Sequence, residues 1–446
     1  MKKFLVFSLL FIPVYYCFAQ QCPENVLGTK TLYKPHQTIY HVPPAGYKPV
    51  FINHAGRHGA RHLTNEVNAS LADSLLKKAS EKGMLTNDGK RLWRMTLALK
   101  KVEKNKAGFI SDEGAKELEG IGERMYMNNK TVFSSGSAIR PVMVTKEIRT
   151  HQSATAFLKG IEKKHPSKKR ISQYINDTLL RFYDLAPSYR KFDSTGDWRS
   201  YFSILKNALK YDSIALAITK RFFRPAFIAT LKPGQPEKFV GDIAGFLTIV
   251  PSLRKEIRDS GYSEKDLAFY SLFSCLEMHV MEKKEDAQNF LIKAAGTDSM
   301  GIQVRIAAPL LVDFITAIDT FLMKGKQPVV LRFAHAETIA PFAALLDIDS
   351  ASTPAKSIIH YDKVWNAARV APLSANIQWI LYQKAGSKDY LVRILLNEKE
   401  VRINGLPTAD CPFYSWDELR AFYIKKLTLL NCLPGDDMYE YLQTAK

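Results

Sequence analysis

Pro49-Val50-Phe51-Ile52-Asn53-His54-Ala55-Gly56-Arg57-His58-Gly59-Ala60-Arg61 joins an apolar run to a loop in which a histidine stands between two arginines. Pro49 to Asn53 has the short, β-branched and aromatic composition of a buried strand. Gly56 and Gly59 bracket the histidine with residues that permit a tight turn. The stretch therefore reads as a buried strand ending in a loop that presents Arg57, His58 and Arg61. A similar arrangement follows much later, where the apolar run Val329-Val330-Leu331-Arg332-Phe333 delivers Ala334-His335-Ala336-Glu337. Both candidate groups thus follow the C-terminal end of an apolar strand, the edge at which open α/β sheets bind ligands.

Working outward, Leu71, Leu75, Leu76 and Ala79, stopped by Gly83, fall at helical spacing, as do Leu118, Ile121, Gly122 and Met125. Pro141 to Val144 predicts another strand, and Ala154, Phe157, Leu158 and Ile161 a helix after it, which sets Arg149 near a strand-to-helix junction. Residues 156–304 are mainly helical in pattern, and Ser263-Glu264-Lys265-Asp266 predicts a capping box opening an apolar helix over Leu267 to Val280. Leu310, Leu311, Phe314, Ile315, Ile318 and Phe321 mark a buried helix, while Ile377 to Tyr382 and Tyr390 to Leu396 predict two strands joined by a turn at Gly386. Strands alternating with helices predict an α/β fold. Its expected organisation is a discontinuous core, 20–155 and 305–446, with a mainly α-helical cap domain over 156–304.

Met1-Lys2-Lys3, the apolar run Phe4 to Phe18 and then Ala19-Gln20 have the order of a secretory signal peptide over 1–19. The run is shorter than the ~20 residues that a spanning helix needs, and no later segment is expected to cross a membrane. The protein is therefore expected to be exported, periplasmic or secreted, and monomeric. Cys22, Cys275, Cys411 and Cys432 remain after the leader, and four cysteines allow three pairings. Cys411–Cys432 is the favoured bridge. The wide spacing of the cysteines predicts no zinc site.

The formal charge of +19, two units of which are Lys2 and Lys3, attracts polyanions. The run Lys163-Lys164-His165-Pro166-Ser167-Lys168-Lys169-Arg170 lacks the interleaved aromatics of a nucleic-acid surface and reads as a solvated connector, so no nucleic-acid partner is expected. A small polyanionic substrate suits the arginine–histidine loop better, because guanidinium forks match phosphate oxygens bidentately. Flanking positive charge disfavours imidazolium, leaving His58 neutral and nucleophilic. Glu337 adds a carboxyl group for proton transfer.

These residues resemble those of the histidine acid phosphatase branch of the histidine phosphatase superfamily, and within it the multiple inositol polyphosphate phosphatases, a phytase group. The resemblance is carried by Arg57-His58-Gly59-Ala60-Arg61, by Arg149 in Ile148-Arg149-Thr150-His151-Gln152-Ser153-Ala154, and by His335-Ala336-Glu337-Thr338. Weaker likenesses are Leu180-Arg181-Phe182-Tyr183 and Leu395-Leu396-Asn397-Glu398 with Cys411-Pro412. The resemblance implies a histidine-phosphatase core with a mixed central sheet flanked by helices. It also implies His58 as nucleophile, Glu337 as proton donor, and Arg57, Arg61, Arg149 and His335 as phosphate ligands, with no cofactor or metal.

Most acid phosphatases of the branch carry aspartate where Ala336 stands, and the displaced carboxylate of Glu337 points to the inositol polyphosphate subgroup. Leu63 replaces the branch's usual proline. A sugar-phosphate or non-specific acid phosphatase is the alternative, and a polyanion-binding protein without catalysis a third reading. Arg181, Arg190 and Lys191 are candidates for substrate contact. The hydrolysis of phosphate monoesters is accelerated by up to ~10²¹, about 28 kcal/mol, whereas a general acid contributes ~10²–10⁴. The arginine cluster must therefore stabilise the transferring phosphoryl group electrostatically.

Overall fold

One mixed sheet of eight strands organises the chain. In a computed structural model the described residues are 26–134, 138–166, 170–407 and 412–445. The expected leader over 1–19, Cys22, Cys411 and the centre of the basic run lie outside them. The strands are β1 (Tyr47–Arg57), β2 (Val142–Val144), β3 (Gln173–Ile175), β4 (Val329–Ala334), β5 (Asn376–Lys384), β6 (Tyr390–Leu396), β7 (Lys399–Glu400) and β8 (Phe413–Ser415). Their order is β3-β2-β4-β1-β5-β6-β7, with β8 paired to β6. The β3, β2, β4 and β1 neighbours run parallel, and the remaining pairs are antiparallel. Ile52 pairs with Val329 and Arg57 with Ala334, so β1 and β4 end level with one another. All six residues of β4 are buried, as the unbroken apolar run predicts for a strand covered on both faces.

The principal helices are α1 (Leu71–Glu81), α2 (Asn87–Glu103), α3 (Asp112–Asn128), α4 (Ile148–Lys164), α5 (Tyr211–Phe222), α6 (Gln235–Ile249), α7 (Cys275–Lys293), α8 (Ala308–Lys324) and α9 (Ala336–Leu345). One apolar cluster joins the sheet to α8 and α9 through Phe51, Phe314, Phe342 and Trp379. A second draws Leu75, Leu92 and Leu99 together with Ile218, Phe239 and Met278, so α1 and α2 pack with the later helices. The stretch Ile302–Lys324, which contains α8, is long and apolar enough to cross a membrane by length and composition, contrary to the sequence expectation. Its place is in the core: Leu310, Leu311, Phe314 and Ile315 are fully buried there, and the Phe314 carbonyl accepts a hydrogen bond from Asn53 Nδ2 at 2.9 Å.

Two further expectations are corrected. The Ser263/Asp266 capping box forms, but it opens only the 3-10 turn Glu264–Leu267, because Ala268 leaves helical geometry at ψ 59°. The long helix begins instead at Cys275, behind a second capping box of Ser274 and Glu277. The favoured Cys411–Cys432 bridge is absent: Cys432 is a buried free thiol, and Cys275 is the disulfide-bonded cysteine among the described residues.

Candidate active site

The loop after β1 is held on every side by groups that leave the His58 ring edge free. His58 N donates to the Ala334 carbonyl at 2.9 Å, and the His58 carbonyl accepts from Ser374 N at 3.1 Å. Its Nδ1 lies 3.0 Å from the carbonyl of Gly59. A carbonyl can only accept, so Nδ1 carries the proton and Nε2 keeps its lone pair. Burial first, then the charges of Arg57 and Arg61, hold the imidazole well below its ordinary range. It is a neutral base with Nε2 as the available nucleophile.

Below the loop the buried carboxylate of Glu117 accepts from Tyr33 N at 2.7 Å, Ala60 N at 2.9 Å and Ser374 Oγ at 2.7 Å. Gly59 N donates to Ser153 Oγ at 3.1 Å, which donates in turn to the Arg149 carbonyl at 2.6 Å. That chain ties the loop to the first turn of α4, the turn that carries Arg149. Glu103 completes the support, lying 3.2 Å from His62 Nδ1 and accepting from Leu63 N. Proline at position 63 has no N–H for that bond, which gives the departure at Leu63 a structural reason.

Arg57 is 2% exposed and Arg61 9%. Arg57 Nη1 donates to the carbonyls of Thr29 and Ala371, at 2.6 and 2.8 Å, and Arg61 Nη1 to that of His62 at 2.6 Å. Burial and mutual repulsion lower both guanidinium pKa values to about 10, so both stay charged at neutral pH. Arg149 pairs with Glu147 at 2.9 Å. The Nε atoms of Arg57, Arg61 and Arg149 are buried without a hydrogen-bond partner among the described residues, three strong donors in a setting that suits a multiply charged oxyanion.

From the neighbouring strand, His335 stands at the N-cap position of α9 and is 1% exposed. Its ring stands edge-on to that of His58 at 5.5 Å, and its Nε2 lies 3.0 Å from Thr145 Oγ1 at the end of β2. Burial and then Arg149 keep it neutral. Glu337 follows in the first turn of α9, with Oε1 2.9 Å from Lys293 Nζ. β1, β4 and β2 thus deliver their functional groups at one edge, where the N-terminal turns of α4 and α9 add partial positive charge.

Sequence reasoning did not find Thr145, Glu117 or Lys293, each an ordinary polar residue without a motif around it, and it gave no role to Ser153, which lies in the motif around Arg149. Of the proposed substrate contacts, Arg181 reaches the site's margin, bonded to Glu147 and Asp184 and over the Tyr183 ring, which faces His335 at 6.3 Å. Arg190 and Lys191 are exposed on the helix Pro187–Thr195. Two adjoining cavities of about 350 and 330 Å³ share Asp349, Ser350 and Arg369 and include none of the site groups.

Residues 246–397 match the family model of the Histidine phosphatase superfamily (branch 2). That stretch, which includes His335 and Glu337, is thus similar to the branch 2 histidine phosphatases. It is similar to multiple inositol polyphosphate phosphatase 1 of Gallus gallus, 21% identical over 408 residues that cover 87% of this chain and 84% of that one. The structure of the Bifidobacterium longum multiple inositol polyphosphate phosphatase, solved with inositol hexasulfate, superposes with a TM-score of 0.77 at 22% identity, covering 89% of this chain and 97% of that one. The phytase of D. castellii gives a TM-score of 0.66 at 14% identity, over 94% and 88% of the two chains.

Proposed function

We propose that the chain is an exported phosphomonoesterase that hydrolyses inositol polyphosphates such as phytate. His58 Nε2 attacks phosphorus, the P–O ester bond breaks, and Glu337 gives its proton to the departing alcohol. Water then attacks the phosphohistidine, its proton passes to the Glu337 carboxylate, and phosphate leaves. Arg57, Arg61, Arg149 and His335 hold the phosphoryl oxygens throughout.

The observation that carries this reading is the placement of a neutral imidazole, its Nδ1 engaged and its Nε2 open, among buried arginines on one strand end, with a histidine and a carboxyl on the next. The names of the similar proteins support inositol polyphosphates as the substrate class, as does the chain's excess of positive charge. The decisive experiment incubates the protein with phytate and a chelator, resolves products over time, and traps phosphoenzyme by denaturing quench. Release of several phosphates, with a label on His58 that His58→Ala abolishes, is expected. Turnover of simple monoesters without attack on phytate would refute the substrate, and full turnover by His58→Ala the mechanism. Amino-terminal sequencing of protein from outside the cytoplasm tests the leader, with cleavage expected after Ala19.

A further inference from the structure

Glu337 carries a constraint that the first half of the reaction must lift. Its Oε1 stands 2.9 Å from Nζ of Lys293, the last residue of α7, and that ammonium also donates to Asn289 Oδ1 at 2.8 Å. Other charged or titratable neighbours are His335 beside it, Arg57 and Arg61 from the β1 loop, and the phenols Tyr183 and Tyr189. Burial favours the neutral acid, yet the Lys293 ammonium outweighs it and holds the carboxyl well below its ordinary range. A carboxylate in that state is ready to take a proton from attacking water. It has none to give to a leaving alkoxide.

We propose that Lys293 is a positioning residue that makes the proton donor respond to a second phosphate on the substrate, by turning its ammonium from Glu337 to the phosphate vicinal to the scissile ester. The proposal rests on the reading of Glu337 as proton donor. A phosphate dianion competes for an ammonium with twice the charge of a carboxylate. Lysine is a flexible point charge with three donors, able to change partner without the geometric demands of a guanidinium fork. The Lys293 side chain is 18% exposed and that of Glu337 34%, so the pair lies at the opening of the site and not beneath it.

Once the ammonium has moved and phosphate charge has arrived, both changes favour the protonated carboxyl. The proton taken up from solvent goes to the ester oxygen as the P–O bond breaks and the Nε2–P bond forms. The proton of the attacking water returns to Glu337, and departure of the inositol product lets the ion pair close again. A monoester with a single phosphate leaves the pair closed. Discrimination therefore falls on kcat and not on KM alone.

The test compares phytate, glycerol 2-phosphate and p-nitrophenyl phosphate, whose leaving group needs no proton. In the unmodified enzyme the alkaline limb of kcat is expected at higher pH for phytate than for glycerol 2-phosphate. Lys293→Met and Lys293→Gln are expected to move the glycerol 2-phosphate limb up by at least about one pH unit, a roughly tenfold gain in kcat above the original limb. They also reduce the kcat advantage of phytate about tenfold. Lys293→Arg keeps the charge and leaves the glycerol 2-phosphate limb in place, and p-nitrophenyl phosphate shows no such limb in any variant.

Coincident limbs for the two alkyl substrates in the unmodified enzyme overturn the proposal without reference to any variant. So does an unmoved glycerol 2-phosphate limb in folded Lys293→Met or Lys293→Gln. Glu337→Gln separates the two levels. If it keeps the limb and the rate on glycerol 2-phosphate, Glu337 is not the donor and the underlying reading fails; if it abolishes the limb while the Lys293 variants leave it unmoved, only the role of Lys293 fails.

Discussion

Gly59→Ala isolates the geometry of the proposed nucleophile's loop from its chemistry. A Cβ at position 59 would stand 2.7 Å from the Gly114 carbonyl oxygen and 2.9 Å from its carbonyl carbon and Cα. Optimal carbon contacts lie at about 3.5–4.0 Å, and no rotamer relieves a clash between backbone atoms. Either the loop or the first turn of α3 must shift by roughly the shortfall, at ~1–3 kcal/mol for overpacking of this kind. An unfolding entropy of ~2.1 cal/mol/K per residue over roughly 420 residues is ~0.9 kcal/mol/K, so Tm falls only by ~1–3 °C. The loop carries His58, and a displacement near 1 Å at a reacting group is worth ~10² in rate.

The expected result is therefore a nearly normal Tm with kcat down about a hundredfold. Gly160→Ala is the control, since its Cβ would meet the Glu119 carbonyl oxygen at 2.0 Å, where α3 and α4 cross. That point is eleven residues from Arg149, ~16 Å along the helix. It should lose at least as much stability and keep kcat within a few-fold. The assay pair is calorimetry and steady-state kinetics on phytate. Normal kcat in Gly59→Ala, or equal kcat losses in the two variants, would refute the reasoning.

Other perturbations test separate contacts. Thr145→Val keeps the shape of the side chain but removes the hydroxyl 3.0 Å from His335 Nε2. A lost hydrogen bond with a buried partner left unsatisfied costs ~1–3 kcal/mol, so kcat/KM should fall about tenfold; a change under twofold would remove Thr145 from the orientation of His335. The Cys432 thiol is buried and its pKa pushed up to about 12 by burial. Native protein should therefore resist alkylation at this position until unfolded, as peptide mass mapping would show, and rapid native labelling contradicts that. Asp286, buried against Ala367 N, has its carboxyl pushed up to about 8, by burial first and then by Glu282. A folded pKa above the unfolded value near 3.9 means that the cost of the group grows with pH between those values and levels off above about 8. The stability of Asp286→Asn relative to the parent should thus rise by ~1.4 kcal/mol per pH unit from pH 5 to 7, and a constant difference in urea unfolding across that range counts against a neutral Asp286.

How far the site could be read in advance depended on whether a residue's role leaves a local mark. β1 and β4 were legible because strands covered on both faces need unbroken apolar runs, and His58 because the arginines that serve it are its sequence neighbours. That the two strands lie side by side, with Arg57 level with Ala334, was not legible: nothing local pairs residues so far apart. Glu117 and Lys293 are invisible for the same reason. A lone polar residue on a helix looks the same whether it is solvated or holds a loop from behind. The capping signals at Ser263 and Ser274 are both real, but a cap marks a start and not a length, so the 3-10 turn at 264–267 drew the prediction meant for α7. The cysteines misled through proximity in sequence, which is only a weak thermodynamic preference, since each doubling of a loop costs ~0.6 kcal/mol. α2 is faint in the sequence although Leu92, Met95, Leu99 and Val102 keep helical spacing, because Lys90, Lys100 and Lys101 break the apolar run.

Burial is what lets this cluster of like charges work. In water two unit charges 4 Å apart interact by about 1 kcal/mol, and near a protein surface by about 4, so an exposed Arg-His-Gly-Ala-Arg loop would barely shift its histidine. Here His58 is 4% exposed and carries the field of several cations at reduced screening. The same low screening would drive the arginines apart without counterweights. Those counterweights are Glu117 under the loop, Glu103 behind Leu63, and Glu147 between Arg149 and Arg181. Each stands to the side or behind, where it offsets repulsion without occupying the face that meets substrate. The acceptors Thr29, Ala371 and His62 aim the guanidinium groups in the same way, by backbone carbonyls that carry no net charge. The positive field is thereby left open at the face where the proposed function puts the phosphoryl group, and the His58 imidazole is kept neutral by that same field.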